Sequence, residues 1–413
     1  MIKNYLSKKF PYIEFVYRKV LNFILYFQYL FLIYNKNRIY NKICVIAKQN
    51  KRKIRIAFLV NENEKWCCQS LYDKLKRSNH FSPMIFLTSL LDKNEEKYKK
   101  NVEFFKRNCG EIQIVYDAKA KKFESLRKYS PDIVIYQQPW NIAKKQNLFS
   151  IRSFALAIYI PYSFANKYEL VNKKLLDFHY ILFREYISHN YIYEEYKKKG
   201  YKKNNLKVVG YPKLEQYLDD ENSEKKYVIY APHHSIEENT IKLGTFNWNG
   251  KFILEYAKKH PEFNWIFKPH PFCKRTFLRA KIFRNEKELN DYYDEWSKIG
   301  IVYDKGNYIA LFKQSKCLIT DCGSFLTEFL PSKSPVINLK RTDSLPLSEL
   351  TQTIAKSYYK VYNIEELKKS FYDVLEKDID TKKEERLKLI KDLNLITNAS
   401  DNIIKDLEGA FYK

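Results

Sequence analysis

From Ile54 onward, short apolar runs alternate with amphipathic stretches, a rhythm that predicts parallel strands joined by helical crossovers. The first series of predicted strands covers Ile54 to Val60, Met84 to Leu87, Ile112 to Tyr116, Asp132 to Tyr136, Ala155 to Ile160, Tyr180 to Phe183 and Lys207 to Val209. Trp66 to Arg77 and Glu96 to Asn108 read as helices between them. The charged stretch Asp219 to Lys226 lacks apolar periodicity and reads as a linker. A second series follows over Tyr227 to Tyr230, Trp265 to Lys268, Ile301 to Tyr303, Cys317 to Thr320 and Pro335 to Leu339, and helical patterns close the chain over Ile364 to Lys377 and Lys382 to Phe411. The expected fold class is α/β, with two doubly wound parallel-sheet domains facing each other across a cleft, over 54–218 and 219–385. A basic amphipathic helical segment, 1–53, precedes them, and a terminal helix, 386–413, follows.

With 413 residues, core size is not limiting, and two domains are the natural division. Seven cysteines, none in a Cys-x-x-Cys pair, fit a reduced compartment and no zinc or redox framework. The net charge of +26 implies anionic partners. It is unevenly placed: residues 1–55 hold 13 lysines or arginines against the single acid Glu14. Within that segment Val20 to Tyr34 is apolar but interrupted by Asn22 and Gln28, and it falls short of the roughly 20 residues a spanning helix needs. Flanking basic residues predict either a peripheral anchor on an anionic membrane surface or a helix packed on the protein itself. Nucleic acid is not an expected partner, because the charge lies beside an apolar segment and not in a groove with stacking aromatics.

Three strands of the second series end in polar clusters: Ala231-Pro232-His233-His234-Ser235, Lys268-Pro269-His270-Pro271 and Asp321-Cys322-Gly323-Ser324. Residues past the carboxyl ends of parallel strands line one crevice, so these tips are expected to meet around one ligand. His270 is the expected catalytic base, since a neutral imidazole with an ordinary pKa of about 6.5 can take a hydroxyl proton, and Lys268 is placed to hold charge on a leaving phosphate. Gly323 and Ser324 precede a helix expected near Phe325 with Thr327 and Glu328 in its first turn; this suits a phosphate, and equally an ordinary serine cap. Of the adjacent His233 and His234, one is expected to face the cleft, with His234 the second catalytic candidate. No third ligand at suitable spacing is visible, so neither a metal nor a cofactor is expected. Asp378-Ile379-Asp380 reads as a solvated face, and His260 falls on the opposite sheet edge. In the first domain Tyr162 and Lys213 follow strands and are candidates for the acceptor side, or simple punctuation.

Gly210-Tyr211-Pro212-Lys213, Tyr230-Ala231-Pro232, Phe267-Lys268-Pro269-His270-Pro271 and Thr320-Asp321-Cys322-Gly323-Ser324, followed by Glu328-Phe329-Leu330 and Ser334-Pro335-Val336-Ile337, resemble the CDP-glycerol glycerophosphotransferase family of teichoic-acid and capsule enzymes. The resemblance spans Ile54 to Leu339 and implies a GT-B architecture. It further implies a peripheral enzyme at the cytoplasmic face of the membrane that moves a polyol phosphate from a CDP-activated donor to a hydroxyl on a lipid-linked polymer. It places His270 at the donor phosphate and the turn at Gly323 and Ser324 at the pyrophosphate; Lys268, Asp321, Thr327 and Glu328 are the further nucleotide- or phosphate-binding candidates. The family's His-Gly pair of the first domain has no counterpart, since Ile160-Pro161-Tyr162-Ser163 stands there. Two alternatives remain: a transferase using a CMP-activated acidic sugar, although no Asp/Glu-Asp-Gly motif is present, and a non-catalytic relative that grips an anionic polymer.

Overall fold

A computed structural model describes residues 11–88, 95–117, 119–138, 142–164, 181–198, 205–218, 224–237, 240–304 and 307–412, with side chains of the first helix from Leu30 on. The first sheet contains β1 (Ile54–Val60), β2 (Phe81–Leu87) and β3 (Ile112–Ile114), then, after a small hairpin of β4 (Tyr116–Asp117) and β5 (Lys122–Phe123), β6 (Ile133–Tyr136), β7 (Leu156–Tyr159), β8 (Leu182–Ile187) and β9 (Leu206–Val208). Its order is β3-β2-β1-β6-β7-β8-β9, parallel throughout. The second comprises β10 (Tyr227–Ala231), β11 (Asn264–Phe267), β12 (Gly300–Val302), β13 (Ser315–Thr320), β14 (Val336–Leu339) and β15 (Tyr359–Val361), in the order β12-β11-β10-β13-β14-β15, also parallel. Each order reverses once, between β1 and β6 and between β10 and β13. These are the two points at which an open parallel sheet leaves a crevice at its carboxyl edge.

Strand residues are buried on both faces because helices cover both. Ile56, Phe58 and Val60 of β1 enter one core and Ala57 and Leu59 another, the two-residue period of a strand. In β10 the same alternation sends Val228 and Tyr230 to one side, and Ile229 and Ala231 to the core that also holds first-domain residues. β15 was not anticipated: Tyr359-Lys360-Val361 is too short, and too polar at its centre, to register as an apolar run. Lys382 to Phe411 is not one helical stretch but two helices, Lys383–Leu393 and Ala399–Phe411. Asn394 breaks it in the left-handed region (φ 45°), a conformation asparagine tolerates. After the break the last helix returns to the first domain, where Glu215 accepts from Ser400 N–H and Oγ (2.6 Å each), Asp401 pairs with Lys74 (2.8 Å) and Asp406 with Arg184 (2.7 Å). Gly210, at φ 96°, lies under this return, and a Cβ there would overlap the Thr397 hydroxyl.

The amino-terminal helix spans Pro11–Lys48. Its described end packs on the protein's own surface through Ile39, Ile43, Ile46 and Ala47, with Tyr40 against Phe183 and Phe411. No helix among the described residues is long and apolar enough to cross a membrane. The expected linker falls largely outside the described residues. The solvated reading of Asp378 to Asp380 holds for Asp378 and Ile379 but not for Asp380, the ion-pair partner of the fully buried Arg386.

Lys213 fastens one domain to the other. Its side chain is 4% exposed, and its ammonium donates to Tyr308 Oη (2.7 Å) and pairs with Glu328 (3.3 Å), while Tyr308 itself donates to Glu328 (2.5 Å) and Tyr217 Oη to the Glu328 carbonyl (3.1 Å). Removing one member of a buried pair strands the other, so Glu328→Ala is expected to cost about 3–5 kcal/mol in urea unfolding, with Lys213→Met/Glu328→Leu recovering most of it. A loss under about 1 kcal/mol would show that the pair does not fasten the interface.

Candidate functional site

The three loops at the carboxyl edge of the second sheet are bound to one another through main-chain groups. Asp321, buried just past β13, accepts from His233 N–H (2.6 Å) through one oxygen and from Thr245 N–H and Oγ1 (2.6 and 2.7 Å) through the other. Burial pushes its carboxyl up to about 6, against the pull of these donors. Thr320 Oγ1 donates to the Ala231 carbonyl (2.7 Å), and His270 N–H to the Pro232 carbonyl (3.1 Å). The loop after β10 is thereby held on both sides, by the loops after β13 and β11.

This brings three imidazoles together. Ring centroids of His234 and His270 are 4.0 Å apart, those of His233 and His234 4.4 Å, and those of His233 and His270 5.2 Å. Both adjacent histidines thus join the cluster, contrary to the expectation that only one could, because the chain leaves the extended conformation as β10 ends. Burial lowers the His233 pKa to about 3 and the His234 pKa to about 4, helped by His234 in the first case and by Arg275 and Arg279 in the second. His270 is pushed far below its ordinary value by burial, then by His233, His234, Lys268 and Lys65. All three rings are therefore neutral near pH 7.

The same geometry revises the role of His270. Its Nδ1 accepts from Phe272 N–H (3.1 Å), so the proton of the neutral ring sits on Nε2. The free tip is a donor suited to a phosphate oxygen and not the expected base. His233 Nδ1 is likewise engaged, by Ser235 N–H (3.2 Å) and Oγ (2.7 Å). One nitrogen from each ring lies within 4.8 Å of the others, a grouping that sequence spacing did not reveal and that has the ligand number of a metal site. A cation held by all three would have to displace the Ser235 and Phe272 amides.

Lys268 adds charge. It is 8% exposed, and its ammonium lies over the rings of Tyr308 (4.8 Å), Tyr303 (5.4 Å) and Phe325 (5.6 Å). Among the described residues no carboxylate pairs with it. Burial, then the like charge of Lys213, lowers its pKa to about 8, partly offset by Cys322, Glu64 and Glu328. Glu64 and Lys65, in the turn after β1 of the first domain, act by charge on Lys268 and His270 respectively. The rule that selected strand tips in the second sheet also applies to Glu64, in the turn after β1 of the first, where the sequence reading named no candidate.

The remaining predicted residues are placed differently. Gly323 opens the helix Gly323–Phe329 two residues earlier than expected, with Cys322 as its cap; Ser324 is not the cap, and its hydroxyl meets Cys322 Sγ (3.3 Å). Thr327 is fully buried with its hydroxyl 3.3 Å from that of Thr351, and Glu328 is committed to Lys213 and Tyr308, so neither faces the histidines. Lys213 is sealed in the same pair and is not open to an acceptor. Tyr162 is half-buried on the first-domain side beneath Lys65 (5.5 Å to the ring). His260 pairs with Glu262 (2.9 Å) on the far edge.

No family model matches the sequence and no curated protein does. Among solved structures, UDP-GlcNAc 2-epimerase from Neisseria meningitidis bound to UDP-GlcNAc is 16% identical with a TM-score of 0.55, covering 87% of this chain and 100% of that one. A putative UDP-N-acetylglucosamine 2-epimerase from Listeria monocytogenes is 14% identical with a TM-score of 0.56, over 87% and 97% of the two chains. The chain has the GT-B fold. The wall teichoic acid polymerase TagF, soaked with CDPG, also aligns, at 13% identity over 95% of this chain and 98% of that one, but its TM-score of 0.48 is too low to bear on fold or function. At these identities the likeness extends to the GT-B architecture and no further.

The lowered pKa of Lys268 makes anion binding pH-dependent. Pyrophosphate affinity is expected to fall as pH rises through about 8, where the ammonium loses its proton, and Lys268→Met should flatten the profile in calorimetric titration. Since the folded pKa lies below the ordinary 10.5, the unfolded chain binds more protons between those values, and ligand-free stability should rise with pH across that window. An unchanged profile in the variant would remove Lys268 from the site.

Proposed function

We propose that the chain is a transferase that moves a polyol phosphate, glycerol phosphate foremost, from a CDP-activated donor to a hydroxyl acceptor in cell-surface polymer synthesis. The observation that carries this reading is Lys268: a buried ammonium surrounded by aromatic faces and without a described carboxylate partner, beside neutral imidazoles at the switch point of the second sheet. A buried cation left unpaired is costly unless an anion completes it. A diphosphate supplies that anion. Lys268 would hold charge on the leaving phosphate, and the Nε2–H of His270 would donate to one of its oxygens. The cytidine and the polyol come from the sequence resemblance.

The amino-terminal helix is proposed to rest on the anionic inner membrane surface, where the acceptor polymer grows. Leu30, Phe31 and Tyr34 are 41%, 57% and 63% exposed on a helix rich in lysine and arginine. Full-length protein should sediment with phosphatidylglycerol vesicles at low salt, and release by salt or by phosphatidylcholine is expected; protein that stays in solution with both lipids would end this part of the reading.

CDP or CMP is expected to raise the melting temperature while UDP and GDP do not, by about 2.7 kcal/mol of stabilisation at a hundredfold excess over Kd. CDP-glycerol with a hydroxyl-bearing acceptor should release CMP. Selective stabilisation by UDP would replace the cytidine donor with a uridine one, and indifference to every nucleotide would refute the transferase reading.

A further inference from the structure

We propose that the exposed basic segment following His270, with Arg275 as its anchor, binds the acceptor as a polyanion, a chain that already carries phosphodiesters. The inference rests on the transferase reading above and deepens it: the enzyme extends an anionic chain and does not place the first unit on a neutral carrier.

Residues 271–284 hold five basic side chains, Lys274, Arg275, Arg279, Lys281 and Arg284, and no acid. All five are exposed. The helix Cys273–Arg279 buries Cys273, Thr276 and Phe277, positions three and four apart, so its charged side is left to solvent. Arg279 is answered by Glu237, from the loop after β10. Arg275, one turn earlier on the same face, is not: among the described residues no carboxylate pairs with it, nor with Lys274, Lys281 or Arg284.

A ring joins Arg275 to the histidine cluster. Its guanidinium lies over Phe272, 5.1 Å from the centroid, and the Phe272 ring in turn meets His234 edge-on at 5.4 Å and His270 at 5.4 Å. Phe272 is 37% exposed, so this junction is open to a large ligand. A guanidinium resting on an aromatic face keeps its N–H donors in its own plane, free for a two-point bond to a phosphate. Lys274 lies over Tyr293 (4.5 Å) in a similar way.

The reaction itself selects a phosphate chain as the occupant. Every transfer of a polyol phosphate leaves a phosphodiester in the product, so the product of one round carries the charge that this segment binds in the next. The preceding reaction must then be one that puts the first phosphate-bearing unit on the carrier. Lipid headgroups carry the same charge, but this segment adjoins the imidazoles, where the acceptor hydroxyl has to arrive.

The test compares full-length wild type with Lys274→Gln/Arg275→Gln/Lys281→Gln, using a soluble glycerol phosphate trimer and an uncharged glycerol oligomer of equal length as acceptors for CMP release. Wild type should show a KM for the trimer about tenfold or more below that for the oligomer, a preference that added salt weakens. In the variant the preference should be lost through KM and not kcat, with the melting temperature and calorimetric CDP affinity kept. Arg275→Lys alone, which keeps the charge but not the fork, should lower the preference less. A variant that keeps the preference, or that loses CDP binding and melting temperature along with it, overturns the proposal. So does a variant that loses only its hold on phosphatidylglycerol vesicles, since that gives the segment to lipid. Wild type that binds the trimer but releases no CMP sinks the transferase reading and leaves the anion-binding segment standing; an active wild type indifferent to acceptor charge sinks this inference alone.

Discussion

Two lysines buried near the same interdomain surface have opposite electrostatic surroundings, and the contrast organises the molecule. Moving an ammonium out of water costs several kcal/mol, so it persists in a folded protein only where something supplies the missing charge. For Lys213 that is Glu328, with Tyr308 completing the arrangement. For Lys268 the fold supplies aromatic faces but no paired carboxylate among the described residues, and burial, with the positive charge of Lys213 nearby, lowers its pKa to about 8. The first lysine fastens the domains, and the second leaves an anion-shaped deficit between them. Tyr308 serves both, accepting from Lys213 and placing its ring under Lys268.

Around that deficit the positions are set by main-chain groups. Asp321 spends both oxygens on the loop after β10 and on Thr245, so it acts as a clamp and not as a ligand. Because that clamp is buried, the loop it holds has little freedom, and three imidazoles are kept neutral at close range. Charged, they would repel one another and Lys268. The amides of Ser235 and Phe272 then choose the tautomers, turning what looks in sequence like a set of bases into donors.

Particular elements show where the chain was readable. β1 is apolar apart from Arg55 and was placed residue for residue; β11 and β13 were placed to within a residue or two, because buried parallel strands carry little besides apolar side chains. β15 was not, since its burial comes from Leu367, Phe371 and other partners supplied by the fold and not from its own run. The last two helices share one amphipathic pattern, and the break between them, Asn394 to Asn398, opens on the left-handed Asn394. Thr327 and Glu328 sit at the right distance along the chain from Ser324, but the helix turns them into the core.

The sequence by itself determined the alternation of strands and helices, the two-domain α/β architecture and the strand tips at which chemistry gathers, because each is encoded by local periodicity and by the fixed geometry of parallel sheets. Tertiary structure alone decided that His233 and His234 both lie against His270, and that Lys213 is sealed in an ion pair while no described carboxylate pairs with Lys268. Those outcomes depend on burial and on neighbours distant along the chain, and a pKa, a tautomer or an unpaired charge is a property of surroundings that residue order does not carry.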